Sequence, residues 1–553
     1  ESRWEWRKSR IGPKYETVLN LSISPAKAID ISDSIFNKAP RQAKLLRDLV
    51  ASGGPMGLSD VGKEFGYSVP SALKTKKLIY YTNIRVDRDP LDRGKYTQDF
   101  PPSLNSDQSA SLKRIIQAID DENNKVFLLN GVTGSGKTEI YLNALKYVID
   151  NGGKGIVMVP EISLTPQVIE RFESRFPNQV AVLHSGISRG EQFDQWWAIH
   201  KGQYSIVVGS RSAIFGPQPD LKLIIIDEEH EWTYKQQDTS PRYHTRDVAI
   251  KLGELTKSIV ILGSATPDVV SYNAALKKGD AILRLPHRIS VANDQYSGAP
   301  GISPLPNVRI VDLRAELREG NKSIFSRILY QGIKHSLDAD KQIMLYINRR
   351  GSAGIVECRD CGYSIPCRKC NVTLNYHGQT GILICHYCNY RMRPPLKCSR
   401  CASPRIRYLG LGTQKVVDEV NNEFPGTIVL RWDRDTATNW AEHEKQMRRF
   451  ADGEAQVLVG TQMIAKGHHF PNVALVGVLC ADIGLFVPDF RAGEKAFQIL
   501  CQVSGRAGRG VDQGEVVIQT YNPDHYALLA AAEQDYEQFF EKEMNLRREL
   551  STP

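Results

Sequence analysis

The chain lacks any uninterrupted apolar run of the roughly 20 residues that a membrane-crossing helix needs, which excludes a bundle of such helices. It lacks the basic, apolar, small-residue succession of a secretory signal. It opens on Glu1 rather than Met, as a fragment or a chain with an upstream start does. Cysteine is scarce over most of the length, since eight of the ten lie between 358 and 401. Clustering of that kind points to metal in a reducing compartment and away from disulfides. Charge of one sign barely dominates: 71 Lys and Arg against 62 Asp and Glu leave +9, a weak preference for a polyanionic partner. At 553 residues the chain exceeds what one core supports, so roughly three to five domains are expected.

The richest stretch is 126–139. Val126 to Leu129 is a short apolar run of the buried parallel-strand kind. It leads into Gly131, Val132, Thr133, Gly134, Ser135, Gly136, Lys137 and Thr138, a complete G-x-x-x-x-G-K-[ST], and then into helical spacing. Glycines let backbone N–H groups surround phosphate oxygens at a helix N-terminus. Lys137 is placed to reach the outer phosphates of ATP and Thr138 to ligate Mg²⁺.

A second apolar strand ends in Asp227, Glu228, Glu229 and His230. Asp227 is placed to hold Mg²⁺, Glu228 to orient and deprotonate the attacking water, and His230 to sense the γ-phosphate. Ser264 and Thr266, after a further apolar strand, offer hydroxyls linking that site to a nucleic-acid groove. Arg506 and Arg509, three apart, suit a helix or turn that inserts cations into the nucleotide site from another lobe. Between Trp232 and Arg246 aromatics alternate with cations: Trp232, Tyr234, Lys235, Arg242 and Tyr243. That composition suits stacking on single-stranded DNA and a loop coupling it to the hydrolysis site.

The clustered cysteines form four C-x-x-C pairs: Cys358/Cys361, Cys367/Cys370, Cys385/Cys388 and Cys398/Cys401. Four pairs supply two tetrahedral Cys₄ Zn²⁺ sites, for which the spacing fits better than for an iron–sulfur cluster. Spacing alone leaves the pairing open. Between 357 and 405 eight Lys and Arg face two acidic residues, a surplus mostly offset by the anionic thiolate–zinc centres. Cys480 and Cys501 read as isolated buried thiols.

Apolar strands alternating with helical segments predict two α/β lobes with parallel sheets, the cysteine stretch interrupting the second. We divide the chain into 1–30, a linker or remnant with an aromatic and basic start (Trp4, Trp6, Arg7, Lys8, Arg10) followed by a strand-like segment from Tyr15 to Ile23; 31–92, a winged helix; and 93–290, the first lobe. The second lobe is 291–356 and 405–514, the zinc-binding insert 357–404, and a small C-terminal domain 515–553. Within the winged helix, helices are expected at 58–66, ended by Gly66, and 71–78, then a strand pair or wing at 79–86. Ser106 or Asp107 is expected to cap the helix opening the first lobe, and 285–307 reads as a connector between lobes.

These motifs resemble those of superfamily 2 helicases over roughly 104–520. Pro160 to Gln167 looks like motif Ia, Gly209 to Ala213 like Ib, Tyr346 to Gly351 like IV, and Gly460 to His469 like V. An eight-cysteine insert between motifs IV and V, with a winged helix before the motor, resembles the bacterial replication-restart helicases, the primosomal protein N′ family. The resemblance implies RecA-like lobes and an ATP-dependent, monomeric 3′→5′ DNA helicase that recognises abandoned forks and D-loops, unwinds the lagging-strand arm and starts primosome assembly. It implies single-stranded-DNA-binding protein and primosome proteins as partners, a cytoplasmic, nucleoid-associated location, and a nested zinc pairing, 358/361 with 398/401 outside 367/370 with 385/388. It also implies DNA contacts by Arg211 and Lys466 and an adenine contact by Gln108. The family begins with a domain that binds a nascent 3′ end, of which 1–30 is at most the tail. A fork-binding scaffold that uses ATP as a switch, and an RNA helicase, are the alternatives.

Overall fold

The computed structural model describes residues 11–552 except 92, 94–100, 161–165, 238, 280, 294–299, 349–352, 370–372, 378–379, 386–387, 410–411, 434–435, 437–439, 466–469, 486–488 and 509–512. The chain divides into two compact units: Glu1–Lys95 with Ser185–Gln203, and Tyr96–His184 with Tyr204–Pro553.

The first unit is built on a three-stranded antiparallel sheet with Lys14–Leu21 in the middle. This strand pairs over its whole length with Ile79–Val86, from Lys14 opposite Val86 to Leu21 opposite Ile79. The strand-like segment expected over 15–23 is therefore a central strand at 14–21 and not a linker. The expected wing over 79–86 is one long strand, because its partner comes from the N-terminal side. Leu19, Leu45, Leu46, Leu49, Phe65 and Leu73 fill the core beneath it. Gly66 ends the helix Leu58–Phe65 as expected. The next helix is Ser68–Thr75 and not 71–78. Lys77 turns left-handed at φ 55°, and the Leu78 amide donates back to Leu73 O, a Schellman-type stop that ends the helix early.

The second unit holds two parallel-sheet lobes of the RecA-like kind. The first lobe has seven strands, in the order Ile282–Leu285, Val126–Gly131, Ile259–Ser264, Leu221–Asp227, Lys154–Met158, Ile206–Gly209 and Val180–Leu183. The second has six: Asn307–Asp312, Glu515–Thr520, Val473–Val478, Gln342–Tyr346, Val457–Gly460 and Val429–Trp432. Their central strands are Val-, Ile- and Leu-rich because both faces are covered, and Leu223 to Ile226 and Ile343 to Leu345 are fully buried. Such sheets collect functional groups at their carboxyl ends.

Between Gln342–Tyr346 and the helix Thr413–Glu423 the chain leaves the second lobe to form a five-stranded antiparallel sheet, Ala353–Cys358 through Ile406–Leu409. The connector after the first lobe is partly ordered pairing and not plain linker: Arg288–Asn293 pairs antiparallel with Pro300–Ser303. The second lobe thus runs through Thr520 and not to 514, because Glu515–Thr520 is paired on both sides within its sheet, and two helices, Tyr526–Glu533 and Tyr536–Glu549, follow. Among the described residues no helix is long and apolar enough to cross a membrane.

Candidate nucleotide site, lobe junction and metal centre

Strand Val126–Gly131 delivers the glycine loop to the carboxyl edge of the first sheet, and helix Lys137–Asp150 leaves it. Gly134 and Gly136 hold φ of 84° and 79°, the left-handed turns that aim successive amides into one cradle. Lys137 Nζ donates to Gly131 O at 2.7 Å, which holds the ammonium over the loop. Thr138 lies in the first turn of the helix. Gln108 braces the loop from outside, donating from Nε2 to Ser135 O at 3.1 Å. The same side chain accepts from Asn105 N, while Asn105 Oδ1 accepts from Gln108 N, both at 2.9 Å. The cap is thus Asn105, not Ser106 or Asp107, because only Asn105 makes a capping box with Gln108.

Asp227 ends the strand beside the loop. Its Oδ1 accepts from the buried Tyr141 hydroxyl at 3.0 Å. Burial raises the Asp227 carboxyl to about 6, Glu228 pushing the same way and Lys137 and the Tyr141 hydroxyl opposing. Glu228 sits at φ 48°, a left-handed conformation costly for a non-glycine residue and typical of functional turns. Its Oε2 is buried with no hydrogen-bond partner among the described residues. The cradle, Lys137 and the adjacent carboxylates of Asp227 and Glu228 are a donor set whose chemistry fits a nucleoside triphosphate with a divalent cation.

The second lobe closes this edge. Gly505, just past helix Ala492–Ser504, packs on the loop so tightly that a Cβ there would lie 2.7 Å from Thr133 Cγ2. Arg506 is buried and donates through Nη2 and Nε to Ala465 O at 2.7 and 3.0 Å. Burial lowers its guanidinium to about 10, which Glu228 opposes and Arg288 reinforces. His230 joins the lobes: Nδ1 meets Ser264 Oγ at 2.7 Å and Nε2 meets Gln502 Nε2 at 2.9 Å. Arg509 lies outside the described residues.

The aromatic loop differs from expectation in one side chain. Tyr234 is 1% exposed, its hydroxyl donating to Asp227 O at 2.8 Å, so it has no face on which a base could stack. It ties the loop to the acidic strand end instead. Trp232 is 44% exposed and keeps an open face. Arg211 donates to Thr233 O and Lys235 O at 3.2 and 3.1 Å, so its guanidinium braces the loop. Lys235 donates to Arg242 O, and Tyr243 packs edge-on against Phe215. Trp232, Lys235, His244, Arg246, Arg491 and Gln502 are among the residues lining a cleft of about 390 Å³ between the loop and the second lobe. Lys466, with the rest of 466–469 in motif V, lies outside the described residues, as do 161–165 of motif Ia, 349–351 of motif IV and the aromatic start at 1–10.

In the insert, the Sγ atoms of Cys358, Cys361, Cys398 and Cys401 lie within 4.8 Å of one another. Cys358 to Cys401 is 3.5 Å and Cys361 to Cys398 is 3.7 Å. Zn–S bonds of about 2.3 Å in a tetrahedron require S···S of about 3.8 Å, so this set fits zinc. Cys367, Cys385 and Cys388 form a second cluster, Cys367 to Cys388 being 3.6 Å. Cys370 lies outside the described residues. The outer pairing, which spacing left open, is therefore 358/361 with 398/401. Cys480 and Cys501 are buried and apart, as expected.

Sequence reading missed Tyr141, Gln502 and Arg288, which owe their positions to tertiary contact; for Arg288 the alternation Arg288-Ile289-Ser290-Val291 is the available signal.

Comparison with known proteins agrees with this layout. Residues 102–269 match the family described as type III restriction enzyme, res subunit, 367–393 the PriA DNA helicase Cys-rich region domain, and 418–511 the helicase conserved C-terminal domain. The chain is 44% identical to the replication restart protein PriA of Bacillus subtilis (strain 168), over 94% of this chain and 64% of that protein. It is 40% identical to that of Synechocystis sp., over 98% of this chain and 63% of that protein. The chain spans just under two thirds of both relatives. A third, from Chlamydia trachomatis, is 36% identical over 93% of this chain and 68% of its own length. With lobes, cysteine clusters and alignment in one order along the sequence, the chain belongs to the replication restart protein PriA family.

Proposed function

We propose that this chain is an ATP-dependent DNA helicase motor of replication restart, acting 3′→5′ at abandoned forks and D-loops. The observation that carries the reading is the closure of the glycine loop by Gly505 of the second lobe beside the buried Arg506. Lys137 and the loop amides hold the triphosphate, and Gln108 reads the adenine edge. Asp227 and Thr138 would hold Mg²⁺, which when bound would supply charge neutralisation on the phosphates. Glu228 takes the proton of the attacking water, its unpartnered Oε2 being the available acceptor. Arg506, with Arg509, stabilises charge that develops on the transferred phosphoryl group. Because these groups come from both lobes, hydrolysis needs closure and product release permits opening, which converts turnover into movement along a strand.

Trp232, with Lys235, Arg242 and Tyr243, meets the single strand, and Lys466 and Arg211 support it from the phosphate side. The lagging-strand arm is unwound and a primosome assembled, with single-stranded-DNA-binding protein and primosome proteins as partners. The motor works as a monomer in the bacterial cytoplasm and carries two zinc ions.

Unwinding of forks with and without a leading-strand 3′ end at the branch tests substrate and polarity together. Glu228→Gln should bind ATP and abolish DNA-stimulated hydrolysis; normal hydrolysis by that variant removes the assigned base. Stronger ATPase stimulation by single-stranded RNA than by DNA overturns the substrate, and fork binding without strand separation by the wild-type chain identifies a scaffold.

A further inference from the structure

A buried cation stands at the nucleotide site that none of the motifs accounts for. Arg288 opens strand Arg288–Asn293, directly after the last strand of the first lobe, and is 4% exposed. The backbone fixes it against the phosphate loop: Val132 N donates to Leu285 O at 3.1 Å and Ile289 N donates to Gly134 O at 3.0 Å. Its side chain lies over Gly134, where an added Cβ would meet Arg288 Cγ at 3.2 Å and Nε at 3.4 Å. Nη1 donates to Ala507 O, the residue after Arg506, at 3.2 Å. Nη2 is buried and has no hydrogen-bond partner among the described residues.

A guanidinium shut away from water needs a counter-charge, because burying an unpaired cation is strongly unfavourable. No carboxylate pairs with Arg288 among the described residues, and burial alone depresses its basicity. The second cation nearby, Arg506, makes the deficit of negative charge larger. The ligand read into this loop is a polyanion. A purely structural strut to a carbonyl oxygen does not explain a fork with one donor satisfied and another left bare, whereas a phosphate oxygen completes it.

We propose that Arg288 is a phosphate-binding residue of the nucleotide site, supplied by the connector between the lobes. It gives the triphosphate a counter-charge outside the glycine loop and, through Ala507 O, ties the bound phosphates to the arginine turn of the second lobe. The assignment deepens the reading of 131–138 as an ATP site and rests on it.

The test is equilibrium binding of ATP and of adenosine to the wild-type chain, Arg288→Met and Arg288→Lys without DNA, beside thermal unfolding without nucleotide. Arg288→Met keeps the length and apolar stem and removes the charge. The expected result is ATP binding weakened at least tenfold with adenosine binding unchanged, Arg288→Lys in between, and a nucleotide-free unfolding midpoint that holds or rises. ATP affinity equal to wild type, or loss of ATP and adenosine binding in equal proportion, makes Arg288 a structural strut and overturns the proposal. Failure of the wild-type chain to bind ATP at all is a different result: it overturns the ATP site itself and this residue's role with it.

Discussion

Gln502 hydrogen-bonds His230 across the lobe junction, Nε2 to Nε2, at 2.9 Å. The Gln502 amide nitrogen donates, so the ring nitrogen it meets accepts and the imidazole proton resides on Nδ1. That proton is donated to Ser264 Oγ, which also accepts from Thr266 N at 2.9 Å. The His230 side chain is 3% exposed while Gln502 covers it. Second lobe, acidic motif and the strand end at Ser264 are thus joined by one chain of hydrogen bonds that works in a single tautomer.

Gln502→Ala removes the donor to the His230 ring, at a cost of about 1–3 kcal/mol. DNA-stimulated ATP turnover should fall about tenfold, the range of a typical coupling free energy, while nucleotide affinity without DNA holds. Gln502→Glu sets a carboxylate against the accepting nitrogen in place of the donor, so its stimulated turnover should fall at least as far. Steady-state ATPase assays with and without single-stranded DNA check both.

The aromatic loop separates anchoring from exposure. Tyr234→Phe removes the donor to Asp227 O and nothing from the surface, so single-strand affinity should hold while DNA-stimulated hydrolysis drops. Trp232→Ala removes the open face, and single-strand affinity should weaken by about 1–3 kcal/mol, the worth of one base–aromatic stack. Fluorescence anisotropy with a labelled strand, beside ATPase, distinguishes the two; equal loss of affinity in both variants refutes the division.

What sequence makes legible here follows from contact range. The glycine loop, the acidic strand end and the C-x-x-C pairs are local, each fixed by residues within a few positions, and all three occur where expected. The two lobes are legible because strands buried on both faces must be apolar throughout. Tyr234 misleads because an aromatic among cations has the same local pattern whether its ring faces solvent or core; only its 1% exposure decides. Strand Lys14–Leu21 is legible in its own spacing over 15–23, but its place at the centre of a sheet is not, because its partner lies more than 50 residues away, at Ile79–Val86. Gln502 and Tyr141 carry no local signature, and the alternation from Arg288 to Val291 marks a strand but not a phosphate neighbour, since each of the three acquires its role from a group brought near by folding.

The insert's core predicts its response to metal loss. Among the described residues its buried members are Val356, Leu374, Leu383, Cys367 and Cys385, with Ile365, Tyr376, Tyr390, Met392 and Ile406 partly buried against them, so two of the buried members belong to the inner cysteine cluster. A core this small that is itself partly made of metal ligands makes metal binding part of the folding free energy. Elemental analysis should find two zinc ions per chain. Chelation should make residues 353–409 the first to be cut by limited proteolysis, with the unfolding transition of the two lobes retained. Cys385→Ser should lose one zinc and Cys358→Ser the other. A single zinc, or iron, refutes the two Cys₄ sites.

Gly505 tests lobe closure without touching a charged group. Its φ of −63° is open to any residue, so alanine there meets no backbone strain. Alanine also favours the helix that ends at Ser504, and a conformationally compatible Gly→Ala change stabilises by about 0.4–1 kcal/mol. The added methyl, however, would lie 2.7 Å from Thr133 Cγ2 and 2.8 Å from Thr133 Cβ, which forces the second lobe away from the phosphate loop. Gly505→Ala should therefore hold or raise the unfolding midpoint while lowering ATP turnover on the order of a hundredfold, the scale of a misplacement of about 1 Å in a reacting assembly. Thr133→Gly removes all three of the nearest atoms, Cγ2, Cβ and Oγ1, and in the double variant it should restore part of the lost turnover. A double-mutant cycle on turnover reads that interaction directly. Additive effects, or a fall in the unfolding midpoint that matches the loss of turnover, place the defect in the helix end and refute closure of Gly505 onto Thr133 as a requirement for hydrolysis.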